Sequence, residues 1–490
     1  MLASTPQFLR STTNEGSSMH TLHQHPAPSA FRAAPAPLTC RTSPAPGSSG
    51  IWLRAAGAGS RPRSQRGFHR RTVLAGGLAS SLLLAACGPS AGGASTSNEV
   101  SFTFWGPSFY QEFTAEMVEA FHAAKPEVEV ALQPSEWDGY WDRLATQVAG
   151  GTPPDVINMD GKFIAEYSGR GVLADLESLP GLDLSGIDGA DLDAGRVDGV
   201  LTGLSTGSNA WVVVVNPALF EKAGVEMPDD TTWTWDDFRD IAQRIADSGV
   251  ATGVSGGASY ADLTIFLRQK GEDLWAADGM GCAAESLAEW YQLYLDLQES
   301  GATLGADAAV EDGSVTIEQT AFSTGRSAMS WTWTNQLQSV RDAAGTQDIV
   351  MLRPPSFAGS ASENGLFKKA TMYWSIAKAS KNAEKAAALV DFLVSDPGAQ
   401  KIQLLNRGVP SSAAAIEAMG DALTDTDQEV VEFLTAITPE LGSAPAVQPM
   451  GTADSQDTFT RLLSDVRFKR VTPAEAAEQT LTEVNGMVTG

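Results

Sequence analysis

Tryptophan rings and carboxylates near the ends of predicted strands are the side chains of this sequence best suited to bind a ligand. Eleven of the twelve Trp follow residue 86. Five stand in predicted loops after strands: Trp105, Trp137, Trp331, Trp333 and Trp374. Flat aromatic faces stack on the C–H groups of a sugar ring, and carboxylates or amides bind its hydroxyls. Asp160 is the best-placed hydroxyl acceptor, followed by Glu136 and Asn335. The pattern indicates a site for a small polar ligand such as a sugar.

Each of these side chains also has a structural alternative. A single Trp more often packs in a core than binds a ligand. Four other Trp fall in helices or at helix starts, which favours a structural role: Trp233, Trp235, Trp275 and Trp290. The Asp160 carboxylate could instead cap the helix that follows it.

Histidine is nearly absent from the part of the chain that should fold. Four of the five His precede residue 87, which leaves His122 in a predicted helix. A Ser-His-Asp triad or a zinc site with several His ligands is therefore not expected. We expect no enzyme activity, no metal and no cofactor. A glycoside hydrolase needs only two carboxylates and stays the enzymatic alternative. A surface adhesin or sensor subunit is a third class.

The charge of the chain is unevenly distributed. The formal net charge is -26, but residues 1–86 contain nine Arg and one acid. The remainder contains 24 basic and 58 acidic residues. Such an acidic body repels nucleic acid and anionic headgroups, so we expect no nucleic-acid partner. It also disfavours an acidic ligand, unless a nearby Arg such as Arg143, Arg326 or Arg353 offsets the charge.

The first 98 residues are typical of an export leader and a tether. Residues 1–60 are rich in Pro, Ala, Ser and Arg, and are either a disordered leader or the result of a start codon assigned too far upstream. Residues 61–86 form a lipoprotein signal peptide, with basic residues before the apolar stretch 72–86. Residues 84–87 (LAAC) resemble a lipobox, so Cys87 is the predicted lipidation site. Residues 87–98 then carry the lipid and a flexible tether.

This leader predicts a location outside the cytoplasm, with Cys87 anchored to the outer face of a bacterial cell membrane. Arg70 and Arg71 resemble a twin-arginine signal, which leaves the export route open. An uncleaved signal anchor with a free Cys is the alternative.

The spacing of apolar residues after the leader predicts alternating strands and helices. Strands are expected over residues 99–104, 128–132 and before Asp160, with helices over 109–121 and 137–148 between them. This order indicates βαβ units and a mainly parallel sheet. Residues 211–215 (WVVVV) predict a strand buried on both faces. Thr234 and Thr472 begin helices with capping boxes.

Six short segments, in order, resemble the family 1 extracellular solute-binding proteins, the maltose-binding-protein-like group. They are residues 153–156 (PPDV), 171–176 (GVLADL), 214–224 (VVNPALFEKAG), 322–329 (FSTGRSAM), 376–386 (IAKASKNAEKA) and 408–410 (GVP). Each segment alone is a weak signal, whereas six in family order behind a lipobox are a strong one. The sequence departs from the family pattern at residues 203–205 and 371–374, where the family lines its cleft.

The resemblance implies an α/β, two-lobe periplasmic-binding-protein-like fold, in which each lobe is a mainly parallel sheet flanked by helices. Lobe 1 would comprise residues 99–207 and 375–425, and lobe 2 residues 208–374 and 426–490. Hinge strands would cross near 206–210 and 371–375, with a further crossing near 422–438. Closure of the lobes would then trap the ligand between them.

The resemblance also implies site residues and partners. Trp105, Trp333 and Trp374 would be stacking platforms, with Trp331 and Tyr373 beside them in the cleft. The partners would be a carbohydrate ligand and the membrane permease subunits of an ABC importer, and the protein would act as a monomer. A receptor of the same fold for a non-sugar solute stays an alternative.

Overall fold

The structure is a computed structural model that describes residues 99–256 and 258–488. The predicted signal peptide, Cys87 and the tether lie outside these residues. The strands are β1 Glu99–Trp105, β2 Glu129–Ser135, β3 Val156–Met159, β4 Arg196–Val197, β5 Val200–Leu201, β6 Leu204–Ser205, β7 Ser208–Asn209, β8 Trp211–Val215, β9 Thr252–Val254, β10 Trp275–Ala276, β11 Gly279–Met280, β12 Ser327–Trp333, β13 Val350–Leu352, β14 Lys369–Ala370 and β15 Tyr373–Ile376.

Helices fill most of the connections between these strands. They are α1 Ser108–Ala124, α2 Tyr140–Ala149, α3 Ile164–Gly169, α4 Gly189–Ala194, α5 Pro217–Ala223, α6 Trp235–Asp247, α7 Tyr260–Gln269, α8 Ala284–Glu299, α9 Ala306–Asp312, α10 Leu337–Ala344, α11 Ala383–Ser395, α12 Pro397–Gln403, α13 Ala413–Met419, α14 Asp425–Ile437, α15 Ser455–Arg467 and α16 Pro473–Asn485. Within the described residues, no helix is both long enough and apolar enough to cross a bilayer.

Lobe 1 is built around a five-stranded sheet in the order β2-β1-β3-β15-β6. Strand β1 pairs in parallel with both β2 and β3, so the carboxyl ends of these three strands meet at one edge. Strand β15 runs antiparallel to β3 and to β6. Helices α1 and α11 cover the sheet and bury aromatic and aliphatic side chains against it, among them Phe102, Phe121 and Leu389.

Lobe 2 is built around a four-stranded sheet in the order β13-β8-β12-β9. Strand β8 is antiparallel to β12 and β13, and only the β12–β9 pair is parallel. Val212 to Val215 are all buried, which confirms the predicted strand that is buried on both faces. Val213 and Val215 face the cluster around α6 and α8, whereas Val212 and Val214 face the cluster around α10 and α14. The alternation follows from the two-residue period of a strand.

Both sheets are mixed, so the expectation of mainly parallel sheets is wrong. The βαβ pattern correctly predicts β1, β2 and β3 as parallel neighbours. However, β15 enters lobe 1 from lobe 2 instead of from a crossover helix of lobe 1, and it runs in the opposite direction. The resemblance implies this return to lobe 1 near residue 375, but the local spacing of apolar residues gives no signal for the direction of the strand.

A two-stranded ribbon connects the lobes. Strands β7 and β14 pair antiparallel between the two sheets, with Asn209 opposite Lys369 and Ser208 opposite Ala370. The Thr371 N–H donates to the Gly207 carbonyl at 2.9 Å. A third stretch of chain joins them where Ser208 and Val409 exchange backbone hydrogen bonds of 2.8 and 3.0 Å. The ribbon lies where the resemblance implies the first two hinge crossings.

Side-chain caps set the starts of several helices. Thr234 accepts a hydrogen bond from the Asp237 backbone, and the Asp237 carboxylate accepts one from the Thr234 backbone in return. Thr472 forms the same capping box at the start of α16, with Pro473 in the first turn. Both predicted capping boxes are confirmed. Because each box satisfies two otherwise free N–H groups, these helices begin at fixed residues.

Candidate functional site

A cavity lies between the two lobes and is the candidate ligand site. The lobe 1 wall consists of Asp160, Gly161, Lys162, Ile164, Ala194 and Tyr373. The opposite wall consists of Tyr260, Thr264, Leu274, Trp275, Phe367, Lys368, Lys369, Ala370 and Phe459. The segment between α14 and α15 contributes residues 444–448 and 453, and the start of α15 contributes residues 455 and 456. The lining is therefore mostly apolar and aromatic with a few polar groups, which is typical of a small-molecule site.

Asp160 lies at the cavity because it directly follows β3, at the edge where three parallel strands end. Its carboxylate oxygen Oδ1 accepts the Lys162 N–H at 2.9 Å, and its carbonyl accepts the N–H groups of Phe163 and Ile164. Asp160 therefore shapes the turn before α3 and lines the cavity. It does not cap α3 as the structural alternative expected, because the N-cap residue is Phe163 and that helix start has no side-chain cap. No second hydrogen bond to this carboxylate is formed by the described residues.

Tyr373 is the second predicted site residue that lines the cavity. Its hydroxyl donates to the Ala194 carbonyl at 2.8 Å. Burial raises the pKa of Tyr373 above its ordinary value, and the charges of Asp160 and Asp191 raise it further. The phenol consequently stays neutral and presents a ring face and a hydroxyl to the cavity.

An aromatic cluster stands at the same edge of the lobe 1 sheet. It consists of Trp105, Trp137, Tyr140, Trp141 and Phe163. Trp105 is a buried member of this cluster, with its ring centre 5.3 Å from that of Trp137 and 4.9 Å from that of Tyr140. Trp137 is 41% exposed. Trp105 thus supports the cluster, and Trp137 supplies its exposed ring.

Trp333 and Asn335 lie at the end of β12. The Trp333 ring meets the Trp211 ring edge-on at 4.9 Å, and the Lys369 ammonium lies 5.4 Å from the Trp333 ring centre. Lys369 lines the cavity, whereas Trp333 lies behind it and is not part of the cavity wall. Asn335 is exposed in the turn that follows β12, and Glu136 is exposed in the loop before α2. Neither of these two residues is part of the cavity wall.

The structure buries three of the tryptophans predicted for the cleft, Trp105, Trp331 and Trp374, and none of them lines the cavity. Trp374 is 1% exposed in the lobe 1 core, with its ring 5.2 Å from that of Phe102. Trp331 packs in the lobe 2 core, with its ring 6.2 Å from Trp235 and from Phe238. Their assignment to the cleft therefore needs correction. Because side chains alternate along β15, Tyr373 and Trp374 point to opposite faces, and only Tyr373 can reach the cavity.

Three lysines in the cavity wall were not among the predicted site residues. Lys368 lies 3.5 Å from a carboxylate oxygen of Asp188 and 3.8 Å from one of Asp191. Asp191 also accepts a hydrogen bond from Ser208 of the ribbon. Burial raises the pKa of Asp191, and Lys368 and Ser208 act against this rise. Lys368 thereby joins lobe 2 to α4 of lobe 1. The only sequence signal for this arrangement is a Lys pair at the start of a hinge strand.

Aromatic residues of lobe 2 were also missed. Tyr260, Phe367 and Phe459 line the cavity, as does Trp275, to which the sequence assigned a structural role. Trp233, Trp235 and Trp290 are buried in the lobe 2 core. Because α7 and α15 are far apart in the chain, no local pattern brings their side chains together.

Comparison with known proteins identifies the family. Residues 106–400 match the family of bacterial extracellular solute-binding proteins. The chain belongs to this family. An uncharacterized lipoprotein of Streptomyces antibioticus is 29% identical over 174 residues, which are 34% of this chain and 38% of the lipoprotein. The match thus spans less than half of that relative's length.

Solved structures share the fold. A periplasmic oligogalacturonide-binding protein from Yersinia enterocolitica has a TM-score of 0.69 and 23% identity, over 79% of this chain and 98% of that chain. An ABC substrate-binding protein from Listeria monocytogenes, in complex with cycloalternan, has a TM-score of 0.62 and 22% identity over the same shares. These structures confirm the two-lobe α/β fold. The family is extracellular and solute-binding, so the chain works outside the cytoplasm.

Proposed function

We propose that this member of the family is the ligand-binding subunit of an ABC importer, and that it binds a saccharide between its lobes. The observation that carries the proposal is the cavity itself, where ring-bearing side chains and a few polar groups face each other from both lobes. Rings bind the C–H faces of a saccharide, and Asp160 with Tyr373 supplies polar groups for its hydroxyls. The saccharide binders among the similar structures support this reading.

The proposal extends to the membrane. Lipid attached to Cys87 would hold the protein at the outer face of the bacterial cell membrane, and residues 88–98 would link this anchor to the lobes that meet the permease subunits. A single acyl chain binds a membrane only weakly, so the two chains of a diacylglycerol are needed for stable anchoring. We propose that the protein acts there as a monomer.

A glycoside hydrolase fits the cavity less well. Hydrolysis requires two carboxylates across the glycosidic bond. Among the described residues that line the cavity, Asp160 is the single carboxylate. This observation favours binding and release of an unchanged ligand.

Thermal unfolding of the full-length chain in detergent, with and without saccharides, tests the proposal. We expect one class of mono- or oligosaccharide to raise the melting temperature, whereas amino acids and polyamines leave it unchanged. At about 100 times the dissociation constant the stabilisation is about 2.7 kcal/mol. The ligand should be recovered intact by mass spectrometry. Recovery of cleaved sugar would instead indicate a hydrolase, and stabilisation by a control solute alone would refute the saccharide class.

A further inference from the structure

The charge of the cavity wall is opposite to that of the protein. The chain has a formal net charge of -26. In the wall, however, Lys162, Lys368 and Lys369 stand against the single carboxylate of Asp160. The other described residues of the lining are uncharged. An excess of lysines over carboxylates in the wall favours an anion over a neutral solute.

Two of these ammonium groups lack a carboxylate partner. Lys368 is compensated by Asp188 and Asp191. Within the described part of the chain, neither Lys162 nor Lys369 takes part in an ion pair, and both are half-buried. The Lys369 ammonium lies 5.4 Å from the centre of the Trp333 ring. A half-buried charge without a counter-ion gains most when a ligand brings one.

The two lysines approach the cavity from different walls. Lys162 belongs to the turn after β3 in lobe 1, and the Asp160 carboxylate fixes its backbone through the 2.9 Å hydrogen bond. Lys369 begins β14 of the ribbon, beside Trp333 of lobe 2. An anionic group between them would be attracted from both sides, so its binding would also favour the closed arrangement of the lobes.

From this geometry we propose that the cavity binds an anionic saccharide, whose carboxylate or phosphate group lies between Lys162 and Lys369. The proposal rests on the saccharide-binding function above and specifies its ligand class. The aromatic side chains bind the sugar rings, and the two ammonium groups select the charge. The proposal differs from the expectation that the acidic body disfavours an acidic ligand unless a nearby Arg offsets its charge. In the proposed site, lysines of the cavity supply the compensating charge.

Matched ligands test the charge requirement. Isothermal titration of the full-length chain compares uronic acid oligomers with the same oligomers whose carboxyl groups have been reduced to alcohols. Sugar phosphates and their parent sugars form the second arm, which distinguishes a phosphate from a carboxylate. We expect the anionic member of one pair to bind at least about tenfold more tightly than its neutral partner, with affinity falling as salt rises.

Variants test the assigned residues. Lys162→Gln and Lys369→Gln should each weaken binding of the anionic ligand about tenfold or more, while binding of the neutral partner changes little. Lys222→Gln on the exposed surface of α5 removes the same charge far from the cavity and should leave affinity unchanged. Equal affinity for charged and neutral partners, or equal losses in Lys222→Gln and Lys162→Gln, would overturn the anionic class alone. If no saccharide bound the wild type, the proposed function itself would fail.

Discussion

Asp262 is a fully buried carboxylate in the lobe 2 core, at the start of α7. One of its oxygens accepts hydrogen bonds from the Trp290 ring at 3.1 Å and from the Tyr294 hydroxyl at 2.7 Å. Burial raises its pKa to about 6, although these bonds act in the opposite direction. The folded protein therefore binds a proton more tightly at this site than the unfolded chain does.

This shift predicts a pH dependence of stability. Because the folded pKa of Asp262 exceeds the unfolded value, its contribution to stability is full below about pH 4 and is lost as the pH rises through 6. The loss amounts to about 3 kcal/mol. Urea unfolding of wild type and of Asp262→Asn should show their stability difference changing by that amount between pH 4 and 7. Asp240→Asn, an exposed carboxylate on α6, is the control, and equal profiles for Asp262→Asn and wild type would contradict the assignment.

The site could be predicted only in part at this scale. Asp160 and Tyr373 follow from their places after β3 and in β15, and both line the cavity. The sequence could not tell that Trp374 and Trp331 are buried in the cores and do not line the cavity. A motif gives the position of a residue along a strand but not which face of the strand meets solvent. Lys162 was missed for a different reason. A Lys in a loop is ordinarily a solvated side chain, and only the tertiary fold shows that it faces a cavity.

Arg407 shows the same limit of sequence reasoning. Its side chain is fully buried, yet no carboxylate partners it among the described residues. The guanidinium instead lies 4.9 Å from the Tyr110 ring centre and 4.7 Å from that of Trp374. Burial lowers its pKa to about 10, so it stays charged at neutral pH. Trp374 thus contacts a cation of the protein itself. From the sequence, this role could not be told apart from stacking on a ligand.

The ribbon between the lobes depends on a close backbone approach at Gly207. Its φ is +153°, and a Cβ at this position would lie 2.2 Å from the Arg407 carbonyl oxygen. Only a residue without a side chain allows β7 to pass so near the third connection. The ribbon therefore depends on this single glycine.

A matched pair of substitutions separates contact from backbone strain. Gly171 also has a positive φ, +68°, but nothing lies within 4 Å of its Cβ position. We expect Gly171→Ala to cost about 1 kcal/mol from conformation alone. Gly207→Ala should cost a further 1–3 kcal/mol, roughly the price of overpacking, and should also weaken ligand binding. Thermal unfolding measures the loss of stability, and titration measures the loss of ligand affinity. Equal destabilisation by both variants would show that the close approach to the Arg407 carbonyl adds no cost at Gly207.

Elements were more predictable than their arrangement. The first three strands, the buried strand β8 and the two capping boxes follow from local periodicity and cap chemistry. The ribbon strands β7 and β14 are two residues each, too short for a periodic signal. The antiparallel entry of β15 depends on a distant part of the chain, so local spacing could not indicate it.

At the scale of the whole molecule, Lys368 is a direct charged contact between the lobes. It is mostly buried, and its ion pairs with α4 are therefore less screened than exposed ones. Lys368→Met should open the ligand-free protein and enlarge its radius of gyration in small-angle X-ray scattering. Lys401→Met, at an exposed position on α12, should leave the radius unchanged. Identical radii for all three proteins would show that Lys368 does not hold the lobes together.

The position of β15 in the lobe 1 sheet has a consequence for the synthesis of the protein. The Asn158 side chain bonds to the Tyr373 carbonyl across 215 residues of chain. A ribosome adding about 5–20 residues per second needs roughly 10–40 s to make that stretch. Until then β3 keeps an unpaired edge, so lobe 1 cannot complete its sheet before β15 has been synthesised. A strand edge that stays unpaired for this time can pair with other chains. Export machinery or a chaperone that binds the chain early would protect this edge.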